Sequence, residues 1–194
     1  EKTSRNIPLL LESIQKTPDY LKNYLQITKE YYIDGEWEKA EEWCRKGREL
    51  CAKQENQGAN LWLQAYMGII LVKEPDKHRA VKEIEKILEE KPVEVVRALL
   101  YCFLTDTYCK LEEPEKALAC AQEFERCLAF LNDRPKLCEE QWFGDITIDV
   151  VKDPERLMGV RLNALSCALY LKDREQSERF LKLLPWEEEY RMQA

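Results

Sequence analysis

Tyr24-Leu25-Gln26-Ile27-Thr28-Lys29-Glu30-Tyr31-Tyr32-Ile33-Asp34-Gly35-Glu36-Trp37-Glu38-Lys39-Ala40, continuing to Cys44 and Gly47, reads as one helical hairpin. Apolar residues recur every three or four positions, the signature of an amphipathic helix, and Asp34-Gly35 interrupts that period as a turn. Two further stretches repeat the plan. One carries Met67-Gly68, Leu71, Ala80, Ile84, Ile87 and Pro92. The other carries Tyr101, Leu104, Tyr108, Glu113-Pro114-Glu115-Lys116-Ala117-Leu118, Ala121 and Phe124. Ala40, Ala80 and Ala117 lie 40 and 37 residues apart, close to the period of helix-pair repeats. A hairpin of this size cannot bury its apolar face alone, so such units stack and leave a grooved surface.

The pattern resembles the tetratricopeptide family. Met67-Gly68 stands at that family's Leu-Gly pair, Tyr31 and Tyr108 at its later helix A aromatic, the three alanines at the close helix crossing, and Pro92 at the terminal Pro. Thr28 and Thr105 replace the Gly, while Cys44 and Ala121 replace the helix B aromatic. The resemblance implies an all-α fold, a right-handed α-α superhelix of about four helix pairs with an extra N-terminal helix. It also implies a concave face lined by helix A residues. In the first repeat these are Lys22, Leu25, Lys29 and Tyr32. In the second they are Trp62, Ala65, Ile69 and Lys73, and in the third Leu99, Cys102, Asp106 and Lys110. An apolar strip edged by lysines suits a peptide or a docking helix. The family's grip on a chaperone's terminal carboxylate is not implied, because Leu25 and Ala65 stand where basic residues are needed.

Composition agrees with helices. Hydrophobic residues make up 45% and charged residues 35%, with only 6 Gly among 194 residues, which leaves little for turn-rich sheets or a phosphate loop. The net charge is −7, with Lys and Arg scattered among the acids, against the gathered basic face that nucleic acid needs. Glu41 with Arg45 and Glu42 with Lys46 form i,i+4 pairs on a solvated helix. No apolar run approaches the roughly 18–20 residues of a membrane span. The chain opens at Glu1 with no Met and no signal-like segment, so a piece of a longer protein is expected.

Eight cysteines are present. Cys44 and Cys51, Cys102 and Cys109, and Cys120 and Cys127 are each seven apart, two turns along one helix face. There is no Cys-x-x-Cys, and His78 alone could complete a mixed metal site. Reduced thiols packed as small apolar groups are expected, in a cytoplasmic, reducing setting, with no metal.

Along the chain, the spacing predicts a short helix over Asn6–Gln15, with Ile7, Leu10, Leu11 and Ile14 on one face. Thr17-Pro18-Asp19 reads as the cap, first-turn proline and acid that open the next helix. That helix runs to Ile33 and its partner to Lys53, followed by a loop over Glu55-Asn56-Gln57-Gly58. Helices are predicted over 61–71, 77–90, 93–110 and 114–130, then, with Asp153-Pro154-Glu155 restarting a helix by cap and proline, over 157–171 and 174–183. The organisation expected is a linker helix over 1–17, three pairs over 18–131, and an irregular or short-helical insertion over 132–156. A final pair over 157–185 and a tail over 186–194 complete it. Asp145 to Val151 alternates in strand-like fashion, but a lone strand has no ladder to join in a helical stack.

No chemistry announces itself. His78 sits among Asp76, Lys77 and Arg79 at a helix start, which reads as surface. Asp145 with Asp149, or Glu139 with Glu140, could pair as carboxylates, but acids are too common here for that to be informative. Phosphate-loop, dinucleotide, zinc-protease and nucleophile-elbow motifs are all missing. No catalytic residue and no cofactor are implied.

Lys2-Thr3-Ser4-Arg5-Asn6-Ile7-Pro8-Leu9-Leu10-Leu11, Pro18, then Tyr31-Tyr32 and Gly35-Glu36-Trp37-Glu38-Lys39-Ala40, resembles the segment after the catalytic domain of bacterial family-2 glycosyltransferases. Leu181-Lys182-Leu183-Leu184-Pro185-Trp186 is similar to a later part of that region. The resemblance implies a transferase parent whose Asp-x-Asp motif lies upstream, since this chain has none. The piece in hand would be non-catalytic, serving a protein or peptide partner or an adjacent catalytic domain. Two alternatives are the peptide-sensing repeat domain of a bacterial transcription regulator, which an Asn-rich groove would favour, and a stand-alone scaffold. The bare end faces of a short solenoid are where a dimer would form, although no residue in the sequence decides it.

Overall fold

In a computed structural model, residues 3–134, 136 and 153–184 are described. Among them all regular structure is helical: α1 (Thr3–Lys16), α2 (Leu21–Ile33), α3 (Trp37–Lys53), α4 (Gln57–Leu71), α5 (Lys77–Glu89), α6 (Glu94–Lys110), α7 (Pro114–Asn132), α8 (Pro154–Tyr170) and α9 (Arg174–Leu183). None is long and apolar enough to cross a membrane. The chain divides into two compact units, Glu1–Val96 and Arg97–Ala194, with the boundary inside α6.

One turn recurs four times. After α2, α3, α6 and α8 the chain takes a three-residue connection whose middle residue is left-handed: Gly35, Glu55, Glu112 and Lys172, with φ of 77°, 53°, 58° and 58°. In each, the next amide reaches back five residues. Glu36, Asn56, Glu113 and Asp173 N–H donate to the carbonyls of Tyr31, Cys51, Tyr108 and Ala168 at 2.9–3.0 Å. This is the Schellman closure, which satisfies the last helical carbonyls and fixes the reversal. The fourth residue of each following B helix then makes its first backbone bond. Ala40, Ala117 and Ser177 N–H donate to Glu36, Glu113 and Asp173 at 2.9–3.0 Å. Ala80 does the same on Asp76 in α5 at 3.1 Å. All three alanines are fully buried and stand fourth in their helices.

In the first unit, α2 packs on α1, α3 and α4, and α4 packs on α3 and α5. The close approach is set by Gly47, where a Cβ would lie 2.9 Å from Leu63 Cδ1 and 3.1 Å from Tyr24 Cβ. In the second unit, α8 packs on α7 and α9. It also reaches α6, where Cys109 and Cys167 Sγ are 3.6 Å apart.

Thr28 and Thr105, which replace the family's Gly, are both fully buried. Each hydroxyl donates to its own helix, to Tyr24 O at 2.7 Å and to Tyr101 O at 2.9 Å. That back-bonding satisfies the polar atom and lets a β-branched residue take the crowded position.

Several expectations need correction. Thr17 does not cap α2. Its hydroxyl donates back to Ser13 O at 2.9 Å, and the helix starts at Leu21 with no side-chain cap on Tyr20. The loop written over 55–58 is shorter, because Asn56 Oδ1 accepts from Ala59 N–H at 3.0 Å and opens α4 at Gln57. α1 extends over Thr3–Lys16 and carries Pro8 inside it. Asp153 does cap α8, accepting from Glu155 N–H at 3.1 Å, so this helix begins at Pro154, within the stretch assigned to an insertion. Glu41 is not on a solvated face but buried. The strand-like segment from Asp145 to Val151, the acidic candidates Glu139, Glu140, Asp145 and Asp149, and the 186–194 tail lie outside the described residues.

Candidate functional site

The first unit gathers four aromatic rings into a ladder across three helices. Trp62 and Tyr66, one turn apart on α4, stack at 3.8 Å between centroids and 26° between planes. Tyr66 meets Tyr32 of α2 edge-on at 6.0 Å, and Tyr32 meets Trp37, the first residue of α3, at 5.3 Å. Offset and edge-to-face pairs of this kind add about 0.5–1.5 kcal/mol each beyond their area. Tyr66 is buried, whereas Trp62, Tyr32 and Trp37 keep part of their surface in solvent. The ladder is therefore buried at Tyr66 and partly exposed at its other three rings.

The expected groove residues sort by unit. In the first, Tyr32 and Trp62 belong to the ladder. Leu25 and Ile69 are half-buried, Lys22 and Lys73 are exposed, and Ala65 is inside the core. Lys29 lines a cleft of about 480 Å³ between α1 and α2, together with Asn6, Leu9, Leu10, Gln26 and Glu30. Asn6 Nδ2 donates to Glu30 Oε1 there at 3.1 Å. In the second unit, Leu99 and Cys102 are buried and present no surface. Asp106 and Lys110 are exposed and pair with each other at 2.6 Å. An i,i+4 pair of that kind explains their placement as a solvated helix flank.

Charge in the first unit gathers in a network between α3 and the α5 hairpin arm. Glu41 Oε1 on α3 accepts from Arg45 Nη2 at 2.6 Å and from Arg79 of α5. Arg45 Nη2 also reaches Glu83 Oε2 at 2.9 Å, and Arg48 Nη2 reaches Glu90 Oε2 at 2.6 Å. Burial pushes the Glu41 carboxyl up, but the hydrogen bonds from Arg79 and Arg45 outweigh it and its pKa falls below the ordinary value. Glu83 is held down to about 2 by its bonds to Lys86 and Arg45. The network ties α3 to α5, with each of its carboxylates paired to a cation.

All seven described cysteines are free thiols, and Cys44, Cys51, Cys120 and Cys127 are buried along α3 and α7 as their spacing suggests. Burial drives Cys44 up to about 12, and burial with the neighbouring Cys167 drives Cys109 to about 12. Such thiols are protonated at neutral pH and poor nucleophiles.

His78 is exposed at the start of α5. No cluster of three metal-ligating side chains occurs among the described residues. Sequence reasoning missed Trp37 and Tyr66 as members of the ladder. Their signal was the i,i+4 spacing of Trp62 and Tyr66 and the position of Trp37 immediately after the turn. No family model matches the chain, and no curated protein is significantly similar to it.

Proposed function

We propose that this chain is a non-catalytic helical-repeat interaction module, a right-handed stack of tetratricopeptide-like hairpins that holds a protein or peptide partner. The observation that carries the reading is the partly open ladder Trp37–Tyr32–Tyr66–Trp62 on the first unit. Aromatic side chains of this size, rigid and already packed, are the residue types that dominate binding energy at protein interfaces. The succession of helix contacts, in which α2 touches both its hairpin partner α3 and the following α4, supports the repeat architecture. The partner segment is apolar or aromatic, because the exposed ring faces offer stacking area and few hydrogen bonds.

The opening segment through Leu11 supports a parent of the bacterial family-2 glycosyltransferase kind. In that setting the module docks an acceptor, a partner or the sugar-transfer domain itself. A library of displayed random dodecapeptides tests the binding reading. Enriched peptides should be rich in apolar residues and should lose about 10–100-fold in affinity on Trp62→Ala, with circular dichroism unchanged. Peptides that bind the Trp62→Ala and Tyr32→Ala variants as well as the parent chain would remove the ladder from the interface. Sustained turnover of nucleotide sugars by this chain alone would overturn the non-catalytic assignment.

A further inference from the structure

Helix α8 carries an uncovered apolar seam. Met158, Leu162 and Leu169 are exposed by 43%, 38% and 61%, and Leu165 is half-exposed between them. Their spacing of four, three and four residues puts all four on one helix face. Glu155 lies three residues before this run on the same helix, and Lys172, three residues after it, stands in the left-handed turn just past the helix end, so exposed charges of opposite sign flank the seam. Neither charge has an ion-pair partner among the described residues. Gly159 sits beside the seam, where a Cβ would meet nothing within 4 Å. Glycine inside a helix is disfavoured by about 0.5–1 kcal/mol against alanine, so an open-facing Gly159 has no reason within the isolated fold.

The same face is covered elsewhere in the second unit. The helices α6 and α8 end in the same turn, after Lys110 and Tyr170, which sets their register. In that register Ala98, Cys102, Thr105 and Cys109 of α6 correspond to Met158, Leu162, Leu165 and Leu169. Ala98, Cys102 and Thr105 are buried. The covering helix is α8, whose Arg156 bonds to Cys102 and whose Cys167 meets Cys109. The fold thus uses this face to receive a helix, and on α8 nothing among the described residues fills it.

We propose that the occupant is a second copy of this chain, with α8 packing antiparallel on α8 about a two-fold axis between Leu162 and Leu165. The seam reads the same in both directions. An antiparallel pair sets Met158 against the second copy's Leu169, Leu162 against its Leu165, and Glu155 against its Lys172. A parallel pair would instead oppose Glu155 to Glu155 and Lys172 to Lys172. Charge therefore selects the antiparallel arrangement, and Gly159 permits the helices to approach closely. The interface is isologous and closes on itself as a dimer.

Sedimentation equilibrium of the full chain tests this. The chain should show a monomer–dimer equilibrium with a limiting mass twice 23.0 kDa. Leu162→Glu should raise the dimer Kd by more than about 100-fold, with unchanged helical circular dichroism because the side chain is exposed in the monomer. Glu155→Lys alone and Lys172→Glu alone should each raise the Kd roughly tenfold through like-charge contacts. Glu is accommodated at the left-handed turn position, since Glu55 and Glu112 already occupy its counterparts. Mixing the two single variants should restore the dimer, because every seam charge then meets its opposite across the axis. A parent chain that stays monomeric up to about 100 µM, a Leu162→Glu chain that still dimerises, or a mixture no tighter than either variant alone would each overturn the proposal. The first outcome would assign the seam to a helix of another protein.

Discussion

The first unit packs aromatic rings against one another between its helices, and the second buries phenylalanines among leucines, alanines and thiols. Tyr24 and Trp43 meet at 5.9 Å, beside the four-ring ladder, and Ile27, Leu63, Met67, Ile70 and Ile84 complete that interior. The second unit buries Phe103, Phe124 and Phe180 with Leu99, Leu100, Leu104 and Leu131, alongside Ala117, Ala121, Ala164 and Ala168 and the thiols of Cys120, Cys127 and Cys167. The turns nevertheless match, bond for bond. Hairpin reversal is thus set by backbone closure at the helix C-terminus, and the core around it is free to change volume.

The contrast predicts different sensitivities. Phe180 is fully buried and anchors the ten-residue helix α9, being the buried residue of that helix. Phe180→Ala should destabilise the second unit by about 4 kcal/mol, whereas Leu63→Ala in the ring-rich first unit should cost about 3 kcal/mol. Urea denaturation followed by helical circular dichroism measures both. A larger loss at Leu63 would show that the bulky core relaxes less well, reversing the argument.

Ion pairing sharpens the comparison next. In the second unit Arg161 spans α7, α8 and α9, binding Glu125 at 2.7 and 3.2 Å and donating to Leu183 O at 3.0 Å. In the first unit Glu41 serves two arginines on two helices. Glu41→Gln leaves Arg45 and Arg79 short of a counter-charge and should cost about 2 kcal/mol, reduced from a fully buried pair because both arginines are part-exposed. The pH dependence follows the same residues. The carboxyls of Glu41 and Glu83 titrate lower in the folded chain than at their ordinary 4.5, Glu83 at about 2. Their stabilisation is full above the unfolded value and is lost as pH falls from about 4.5 towards about 2. Thermal unfolding between pH 6 and pH 2 should show a smaller acid loss for Glu41→Gln than for the parent. Equal losses would place the acid sensitivity elsewhere.

How much of this the sequence revealed depends on whether a feature is periodic or pairwise. The helices from α2 to α7 follow from apolar spacing, and α3 and α9 end where the pattern ends, at Lys53 and Leu183. The turn at Gly35 was legible because glycine marks left-handed backbone. Its counterparts at Glu55, Glu112 and Lys172 were not, since the closure is made by amides and carbonyls that carry no side-chain signal. Thr17 was misread for a related reason: a hydroxyl can donate backward to a carbonyl as readily as it caps forward. At the candidate site, Tyr32 and Trp62 were found from helix faces. Leu99, Cys102 and Ala65 were expected in the groove but are buried, because which neighbour covers a face is a tertiary fact that spacing does not encode.

The smallest effect separates turn chemistry from core chemistry most cleanly. Gly35 and Glu112 occupy the same turn position with φ of 77° and 58°. Left-handed backbone disfavours a residue with Cβ by about 1–2 kcal/mol, and glycine escapes this while losing more entropy on folding. Gly35→Ala should therefore destabilise by about 1 kcal/mol. Glu112→Gly should stabilise by roughly 0.5 kcal/mol, because the relief of strain slightly exceeds the added freedom of the unfolded chain. Both sites are exposed, so neither change alters the filling between helices. Opposite signs at the two sites would show that one backbone closure governs both units. A destabilising Glu112→Gly would mean instead that the Glu112 side chain contributes to the second unit's turn in a way its geometry does not show.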